Sequence, residues 1–368
     1  MKYKRFTIPI IIIFFMLILN IISWNSTAFS DFYVENIFPY IMTPFSFLTN
    51  LVPFSVGEML IILGIILLIF GVLSFILLMI FKKGRRKKIA SVYGTILLWI
   101  VTFVVSTETT NCFIMYHCTK FSDKYFTDSQ HNDEQLAKLY SLLAHNTNEL
   151  ADKVQRDGNG LFRLSADLNS EAERAMKNIA EDYPLLKGFY PNAKPIMCDF
   201  FMSQQYLLGI YFPFSLESNY NPASCDINLP NTVCHEFSHL KGFIQEDEAN
   251  FIAFIACTSS DNADFQYSGY INALEYVENE VFDAGIDLNS FDFEVEPPSP
   301  EVYADMFNFV PENYWEENES IEIIPTETVE AVSDFAADTS LKLNGVEDGI
   351  HSYCRLVNLL LDYYFPEQ

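Results

Sequence analysis

Basic residues are scarce in this 368-residue chain, which has 22 Lys and Arg against 48 Asp and Glu and a formal net charge of -26. Binding to nucleic acid depends on clustered Lys and Arg, so this charge balance argues against nucleic acid as a partner. The chain also lacks a CxxC motif, which is typical of cysteine-rich zinc sites. Apolar residues are plentiful, since 50% of the sequence is hydrophobic, and a disordered chain is therefore not expected.

Long apolar runs without a charged residue occur only in the first third of the chain. They cover residues 6–24, 59–81 and 89–106. Each run approaches or exceeds the roughly 20 residues that span a bilayer, so we predict three transmembrane helices and a lipid bilayer as partner. The predicted domains are a membrane domain at residues 1–106 and a second domain at residues 107–368. A cleaved signal peptide is the alternative for the first run, because residues 28–30 form a possible cleavage site.

The positive charges around these runs predict their orientation. Three basic residues precede the first run, and six separate the second run from the third. By the positive-inside rule both clusters are cytoplasmic. The connection at residues 25–58 and the chain after the third run would then lie outside the cytoplasm. We therefore expect a multi-pass cell-membrane protein with a cytoplasmic N-terminus and an extracytoplasmic C-terminal domain.

The second domain has the sequence pattern of a mainly helical α+β fold. Helical patterns occupy residues 133–154, 170–183 and about 346–365. Short aromatic and aliphatic runs between residues 195 and 214, broken by Gly209 and Pro213, predict one or two strands. Pro213 favours an edge strand because proline has no N–H to donate.

The clearest chemical signature is an HExxH motif, HEFSH, whose histidines are His235 and His239. Residues four apart share a face of a helix, so both imidazoles can reach one zinc ion, and Glu236 lies beside them as general base for an activated water. Pro230 suits the start of this helix, and Gly242 suits a left-handed end just after the second histidine. These flanking residues favour a zinc site over a pair of buried histidines.

A carboxylate is the usual third ligand of such a site. A second helical pattern begins at Glu246, seven residues after the second histidine. Glu246 is the predicted ligand because Asn250 shares its helical face and could orient a ligand from behind. Glu248 is the alternative. Acidic residues at a helix N-terminus can also serve only to stabilise the helix dipole.

Several motifs follow one another in a distinctive order. They are three apolar N-terminal runs, PFSLESNYN at 213–221, HEFSHLKGFIQEDEANF at 235–251, YSGY at 267–270 and HSYCR at 351–355. This order resembles the bacterial domain of unknown function 3810 family over nearly the whole chain. The resemblance implies a membrane-anchored, zincin-like peptidase with zinc as cofactor. The ExxAN element is also similar to the third-ligand helix of gluzincin-type peptidases, which favours Glu246.

The expected reaction is metal-assisted hydrolysis of a peptide bond, in which Glu236 takes a proton from water and passes it to the leaving amine. Candidates for stabilising the oxyanion share a hydroxyl or imidazole donor. They are Tyr267, Tyr270, His351 and Tyr353, of which we select His351 and Tyr353 as catalytic residues. Residues 209–221 form either an edge strand that binds the peptide substrate, with Glu217 and Asn219 as candidate cleft residues, or an ordinary core strand.

Two other functions fit the same motif. One is a non-catalytic zinc-binding membrane sensor or scaffold, and the other is a hydrolase of cell-wall peptide amides. The presence of Glu236 favours an enzyme over a sensor, because a sensor does not need the base. The histidine and carboxylate ligands predict zinc, although they can also hold another divalent metal.

Overall fold

The structure, a computed structural model, describes residues 4–346 and 355–366, and this part of the chain is mainly helical, as predicted. Its contacts divide the chain into two compact units. Unit 1 comprises Met1–Cys118 and Phe212–Glu217, and unit 2 comprises Thr119–Tyr211 and Ser218–Gln368. The short second segment of unit 1 is therefore inserted between two parts of unit 2 in the sequence.

Unit 1 contains the apolar helices. Its helices are α1 (Lys4–Asn25), α2 (Thr27–Asn36), α3 (Phe38–Thr49), α4 (Val56–Phe81) and α5 (Arg86–Glu108). Three helical stretches are long and apolar enough to cross a membrane, namely Arg5–Asn25, Val56–Phe81 and Lys83–His117. Large apolar side chains such as Leu68 and Phe70 are exposed on α4, which suits contact with lipid. The three predicted apolar helices are confirmed, and they could span a bilayer.

The connection between the first two apolar runs is helical. Ser26 caps α2, because its side chain accepts a hydrogen bond from the Phe29 N–H, and Pro39 lies in the first turn of α3. Both residues are typical helix starts. The Tyr33 hydroxyl donates to the carbonyl oxygen of Thr110 at 2.8 Å, which joins α2 to the turn after α5.

Unit 2 contains short and long helices in sequence. They are α6 (Phe121–Tyr125), α7 (Asp133–Ala151), α8 (Leu168–Ile179), α9 (Asp199–Ser203), α10 (Leu229–Leu240), α11 (Glu246–Thr258), α12 (Ala263–Asp283), α13 (Pro300–Asp305), α14 (Tyr314–Asn318), α15 (Thr326–Leu343) and α16 (Leu356–Tyr364). The predicted helices at 133–154 and 170–183 correspond to α7 and α8. A capping box between Asn132 and Gln135 starts α7.

The strands of unit 2 are short. β1 (Gln155–Arg156) pairs with β2 (Phe162–Arg163) in an antiparallel hairpin. A second sheet has the order β3-β5-β4, formed by β3 (Lys194–Pro195), β4 (Gly209–Phe212) and β5 (Glu217–Tyr220). β3 runs parallel to β5, with Lys194 opposite Asn219. β4 is therefore an edge strand, as Pro213 directly after it predicts.

The helices that carry the HExxH motif and its follower lie in the core of unit 2. α10, α11 and α12 pack on one another, and α8 packs on both α10 and α11. Phe237 on α10, Phe251 on α11 and Phe265 on α12 are fully buried. Burial of such a side chain contributes about 1.5–3 kcal/mol, so each helix is held firmly in the core. Their polar side chains are thereby fixed in position.

Candidate metal centre

Helix α10 has the start and end that its sequence predicts. Pro230 lies in its first turn, and the helix ends at Leu240. Gly242 has a φ of 94°, its N–H donates to the His239 carbonyl oxygen at 3.0 Å, and the Phe243 N–H donates to that of Ser238 at 3.2 Å. A side chain would be strained at this left-handed position, so glycine allows the sharp turn. The turn leads the chain into α11, which begins at Glu246.

Three side chains from the two helices converge. The Nε2 atoms of His235 and His239 lie 3.1 Å and 3.8 Å from Oε2 of Glu246. The ligand atoms of all three residues lie within 4.8 Å of one another, a grouping that could hold a metal ion. A tetrahedral zinc ion with bonds near 2.0–2.1 Å places its ligands roughly 3.3 Å apart. The two imidazole nitrogens and the carboxylate oxygen are donor types that a divalent metal such as zinc accepts, and the distances from Glu246 lie close to this spacing.

The other nitrogen of each ring is occupied. Nδ1 of His239 donates to the carbonyl oxygen of Phe243 at 2.8 Å, and Nδ1 of His235 donates to Oδ1 of Asn250 at 2.7 Å. Asn250 in turn donates from Nδ2 to the Tyr276 hydroxyl at 3.4 Å, which orients the amide. With a proton on Nδ1, each ring can offer the lone pair of Nε2 to a metal ion once any proton on Nε2 has left. Metal-binding histidines are usually oriented in this way.

The pKa values of the two histidines are shifted in opposite directions. Burial alone would lower the pKa of His235, but the hydrogen bond and charge of Glu246, together with Glu236 and Asn250, raise it to about 9. Burial lowers the pKa of His239 to about 4, which the charge of Glu246 only partly offsets. Glu246 thus holds a proton on His235 in the metal-free chain. A metal must displace this proton, so metal affinity should fall as the pH falls.

Glu236 is buried beside the three ligands. Its side-chain Oε2 has no hydrogen-bond partner among residues 4–346 and 355–366. Burial, reinforced by the charge of Glu246 and opposed by that of His235, raises the pKa of Glu236 to about 8. A buried carboxylate without a partner is costly, and such groups are concentrated at functional sites.

Edge strand β4 lies against this carboxylate. A Cβ atom added at Gly209 would lie 2.4 Å from Oε1 of Glu236 and 2.7 Å from Cγ2 of Thr232. Only glycine fits at position 209, because any side chain there would collide with Glu236 and Thr232. The ring of Tyr211, two residues along the same strand, lies 6.0 Å from that of His239. The sequence analysis did not select Tyr211, although its position two residues after Gly209 puts both on one face of a strand.

The alternative third ligand points elsewhere. The carboxylate of Glu248 accepts hydrogen bonds from the N–H and the hydroxyl of Ser122, at 2.8 Å and 2.6 Å. Burial raises the pKa of Glu248 to about 6, although these two hydrogen bonds act in the opposite direction. Asp247 pairs with Lys120 at 3.3 Å. Of the three acidic residues that begin α11, Glu246 is the one that faces the histidines.

The other sequence candidates lie away from these ligands or outside the described residues. The Tyr267 hydroxyl donates to Asp305 at 2.7 Å and is fully buried, and Tyr270 packs on Phe254. His351 and Tyr353 lie outside the described residues, so their proposed catalytic role stays a prediction.

The two candidate cleft residues on β5 make other contacts. The carboxylate of Glu217 accepts a hydrogen bond from the N–H of Gly57 at 2.7 Å, within unit 1. Asn219 is buried and donates from Nδ2 to the carbonyl oxygen of Ile210 at 3.2 Å, which joins it to β4. Both side chains thus have structural partners within their own units.

Comparison with known families gives one result. The model of a protein family of unknown function, DUF3810, matches residues 33–361. The chain belongs to the DUF3810 family. The DUF3810 match includes α4, α5 and the whole of the HExxH region. No curated protein and no solved structure matches the chain.

Proposed function

We propose that the protein is a membrane-anchored zinc metallopeptidase whose catalytic domain is extracytoplasmic. The observation that carries the proposal is the convergence of His235, His239 and Glu246, with Nε2 of each histidine aimed at Oε2 of Glu246. Two imidazoles and one carboxylate are the protein ligands of many catalytic zinc sites. His235, His239 and Glu246 would hold the metal.

The side chain of Glu236 supplies the proton transfers. Bound zinc would polarise an amide carbonyl and make a water nucleophilic near neutral pH. Oε2 of Glu236 would take the proton of the attacking water and deliver it to the leaving amine. Burial raises the pKa of Glu236 to about 8 in the metal-free chain, and the charge of a bound zinc ion would lower it, so that the carboxylate could be ionised and accept a proton near neutral pH.

An enzyme explains Glu236 better than a sensor or scaffold does. A non-catalytic zinc site needs only its ligands, and an unpaired carboxylate buried beside them would lower stability without benefit. In a hydrolase the same strain is useful, because the carboxylate is ready to accept a proton.

The strand next to the site supports a peptide as substrate. β4 is an edge strand that lies against Glu236 at Gly209 and close to His239 at Tyr211. An extended peptide can pair with such an edge through main-chain hydrogen bonds, largely regardless of its side chains. This would bring a scissile amide beside the base.

The proposed location follows from the apolar helices and the basic residues around them. Three helices could span a bilayer, and the basic clusters precede α1 and separate α4 from α5. The positive-inside rule puts both clusters in the cytoplasm and the chain after α5 outside it.

The test uses the full chain in detergent micelles or nanodiscs. Wild type and Glu236→Gln are compared on a mixed peptide library and on cross-linked cell-wall peptides, with the zinc content of both proteins measured. The proposal is supported if wild type cleaves in a chelator-sensitive manner and the variant binds zinc but does not cleave. The substrate that is cleaved would distinguish a peptidase from a cell-wall amidase. Zinc in both proteins without any cleavage would favour the sensor. Absence of bound zinc would refute the site.

A further inference from the structure

The turn at residues 241–245 sets the relative position of two metal ligands. His239 lies one residue before the end of α10, and Glu246 is the first residue of α11. The carbonyl oxygen that accepts the hydrogen bond from Nδ1 of His239 belongs to Phe243, within the turn. A displacement of the turn would therefore move both the partner that orients His239 and the start of the helix that carries Glu246.

A buried phenylalanine packs against this turn. Phe121, the first residue of α6, is fully buried. Its ring lies 5.4 Å from that of Phe243 in an edge-to-face arrangement and 6.4 Å from that of Phe251 on α11. Aromatic pairs of this kind contribute about 0.5–1.5 kcal/mol beyond the burial of their area. Phe121 thus contacts both the turn and the helix that follows it.

The preceding residue, Lys120, forms an ion pair at the start of α11. Its Nζ atom lies 3.3 Å from Oδ2 of Asp247, whose side chain is only 3% exposed. A guanidinium nitrogen of Arg355 lies 3.5 Å from the same oxygen. A buried carboxylate that loses a cationic partner is destabilised, so these contacts hold Asp247 in place. Asp247 directly follows Glu246, and its anchoring fixes the backbone next to this ligand.

Lys120 and Phe121 therefore contact the two ends of the path from His239 to Glu246. One side chain packs on Phe243 in the turn, and the other pairs with Asp247 in the first turn of α11. All of these residues belong to unit 2. Two adjacent residues thus combine an apolar and an ionic contact on the same connection.

We propose that Lys120 and Phe121 are positioning residues for two of the three metal ligands. Phe121 acts on His239 through Phe243, and Lys120 acts on Glu246 through Asp247. A site whose ligands are held in place before the metal binds loses less affinity to the ordering of those ligands. This inference rests on the metal site of the proposed function and is independent of the bond that is hydrolysed.

Three variants perturb or preserve these contacts. Lys120→Met removes the charge and keeps a long side chain, whereas Lys120→Arg keeps a cation that can pair with Asp247. Arg355 remains beside Asp247 in both variants, so we expect both to fold. Phe121→Leu removes the ring and leaves an apolar residue in the core.

Matched controls are available on the β1–β2 hairpin of the same unit. Arg156→Met breaks an ion pair of similar exposure, in which Nη1 of Arg156 lies 2.7 Å from Oδ2 of Asp305. Phe162→Leu removes a buried ring that packs on Tyr267 at 5.6 Å. Both controls should lower the unfolding midpoint without disturbing the turn at residues 241–245.

The measurements use the full chain in nanodiscs. Zinc affinity is determined by chelator competition, the order of residues 241–249 by amide hydrogen exchange with excess chelator, and stability by thermal unfolding. Lys120→Met and Phe121→Leu should each bind zinc about tenfold more weakly and exchange faster at residues 241–249, as expected when the support of a metal ligand is lost. Lys120→Arg and both controls should keep zinc affinity within about twofold of wild type, because distant sites are energetically independent.

The proposal is overturned if Lys120→Met and Phe121→Leu bind zinc as tightly as wild type. It is also overturned if the hairpin controls weaken zinc binding as much as these two variants, because the effect would then reflect a general loss of stability. If Phe121→Leu does not fold, the comparison of Lys120→Met with Lys120→Arg decides. Wild type that binds zinc but cleaves nothing would refute the proposed peptidase, and the affinities would still decide the positioning role. Wild type without zinc would refute the metal site and this inference together.

Discussion

Replacing Glu236 by glutamine should stabilise the metal-free protein while it abolishes turnover. The carboxylate is buried, and its Oε2 lacks a partner among the described residues. Burial raises its pKa from 4.5 to about 8. The folded chain therefore binds this proton more tightly than the unfolded chain does. Stability contributed by the neutral carboxyl is present below pH 4.5 and is lost as the pH rises to about 8.

The size of the effect follows from the shift in pKa. Each pH unit above the pKa of the unfolded chain lowers the free energy of unfolding by about 1.4 kcal/mol, until the pH reaches the pKa of the folded chain. At pH 7 the carboxyl is ionised in the unfolded chain and must take up a proton on folding, so wild type is about 3 kcal/mol less stable than a variant with a neutral amide. Glutamine has nearly the same shape and does not titrate, so Glu236→Gln removes this cost.

Thermal unfolding in micelles with excess chelator measures the difference. At pH 7–8 we expect the midpoint of Glu236→Gln to lie about 5–10 °C above that of wild type, and the gap should shrink towards pH 5. Glu312→Gln, at an exposed position, controls for the change in net charge. A variant no more stable than wild type at pH 8, or a gap that does not depend on pH, would refute the assignment of Glu236 as a strained buried base.

Three further outcomes test the third ligand, the residue that orients His235, and the exclusion of Tyr267 from catalysis. Glu246→Gln should weaken zinc binding at least 100-fold in chelator competition. Glu248→Gln should keep zinc and lower the unfolding midpoint, because it disturbs the hydrogen bonds from Ser122. The reverse pattern would make Glu248 the ligand. Asn250→Ala should lower zinc affinity about 10–100-fold by releasing Nδ1 of a ligand, and unchanged affinity would remove its orienting role. Tyr267→Phe should cost about 1.5–3 kcal/mol of stability, because the hydroxyl donates to the buried carboxylate of Asp305, and it should leave kcat unchanged. A large loss of kcat with normal stability would restore Tyr267 as an oxyanion donor.

The parts of the site that the sequence predicts depend on local rules. Residues four apart on one helix share a face, which brings His235 beside His239. The proline at the start of α10 and Gly242 at its end define the helix by backbone geometry alone. Glu246 and Asn250 share a face of α11 for the same reason. These relations span few residues, and no knowledge of tertiary packing is needed to predict them.

The contacts that the sequence does not predict join distant segments. Gly209 and Glu236 are in contact although 27 positions separate them in the sequence. A glycine in a strand does not indicate which distant side chain will pack against it. Tyr211 lies near His239 only because β4 is the edge of its sheet. Strand order depends on how the chain packs, and the short, mixed strands here have little periodicity to indicate it.

Glu217 has a structural role that differs from the one its place in the sequence suggests. An acidic residue on a strand that precedes the HExxH helix in the sequence is a reasonable candidate for the substrate cleft. Its carboxylate instead binds two N–H groups at the start of α4, about 160 residues earlier in the chain. A fragment of residues 107–368 would lack these donors, and loss of each hydrogen bond to a buried charge costs about 1.5–3 kcal/mol. The same fragment would expose the ring of Phe212 at the end of β4. The full chain is therefore the proper material for measurements of stability, because it keeps both partners of this buried carboxylate.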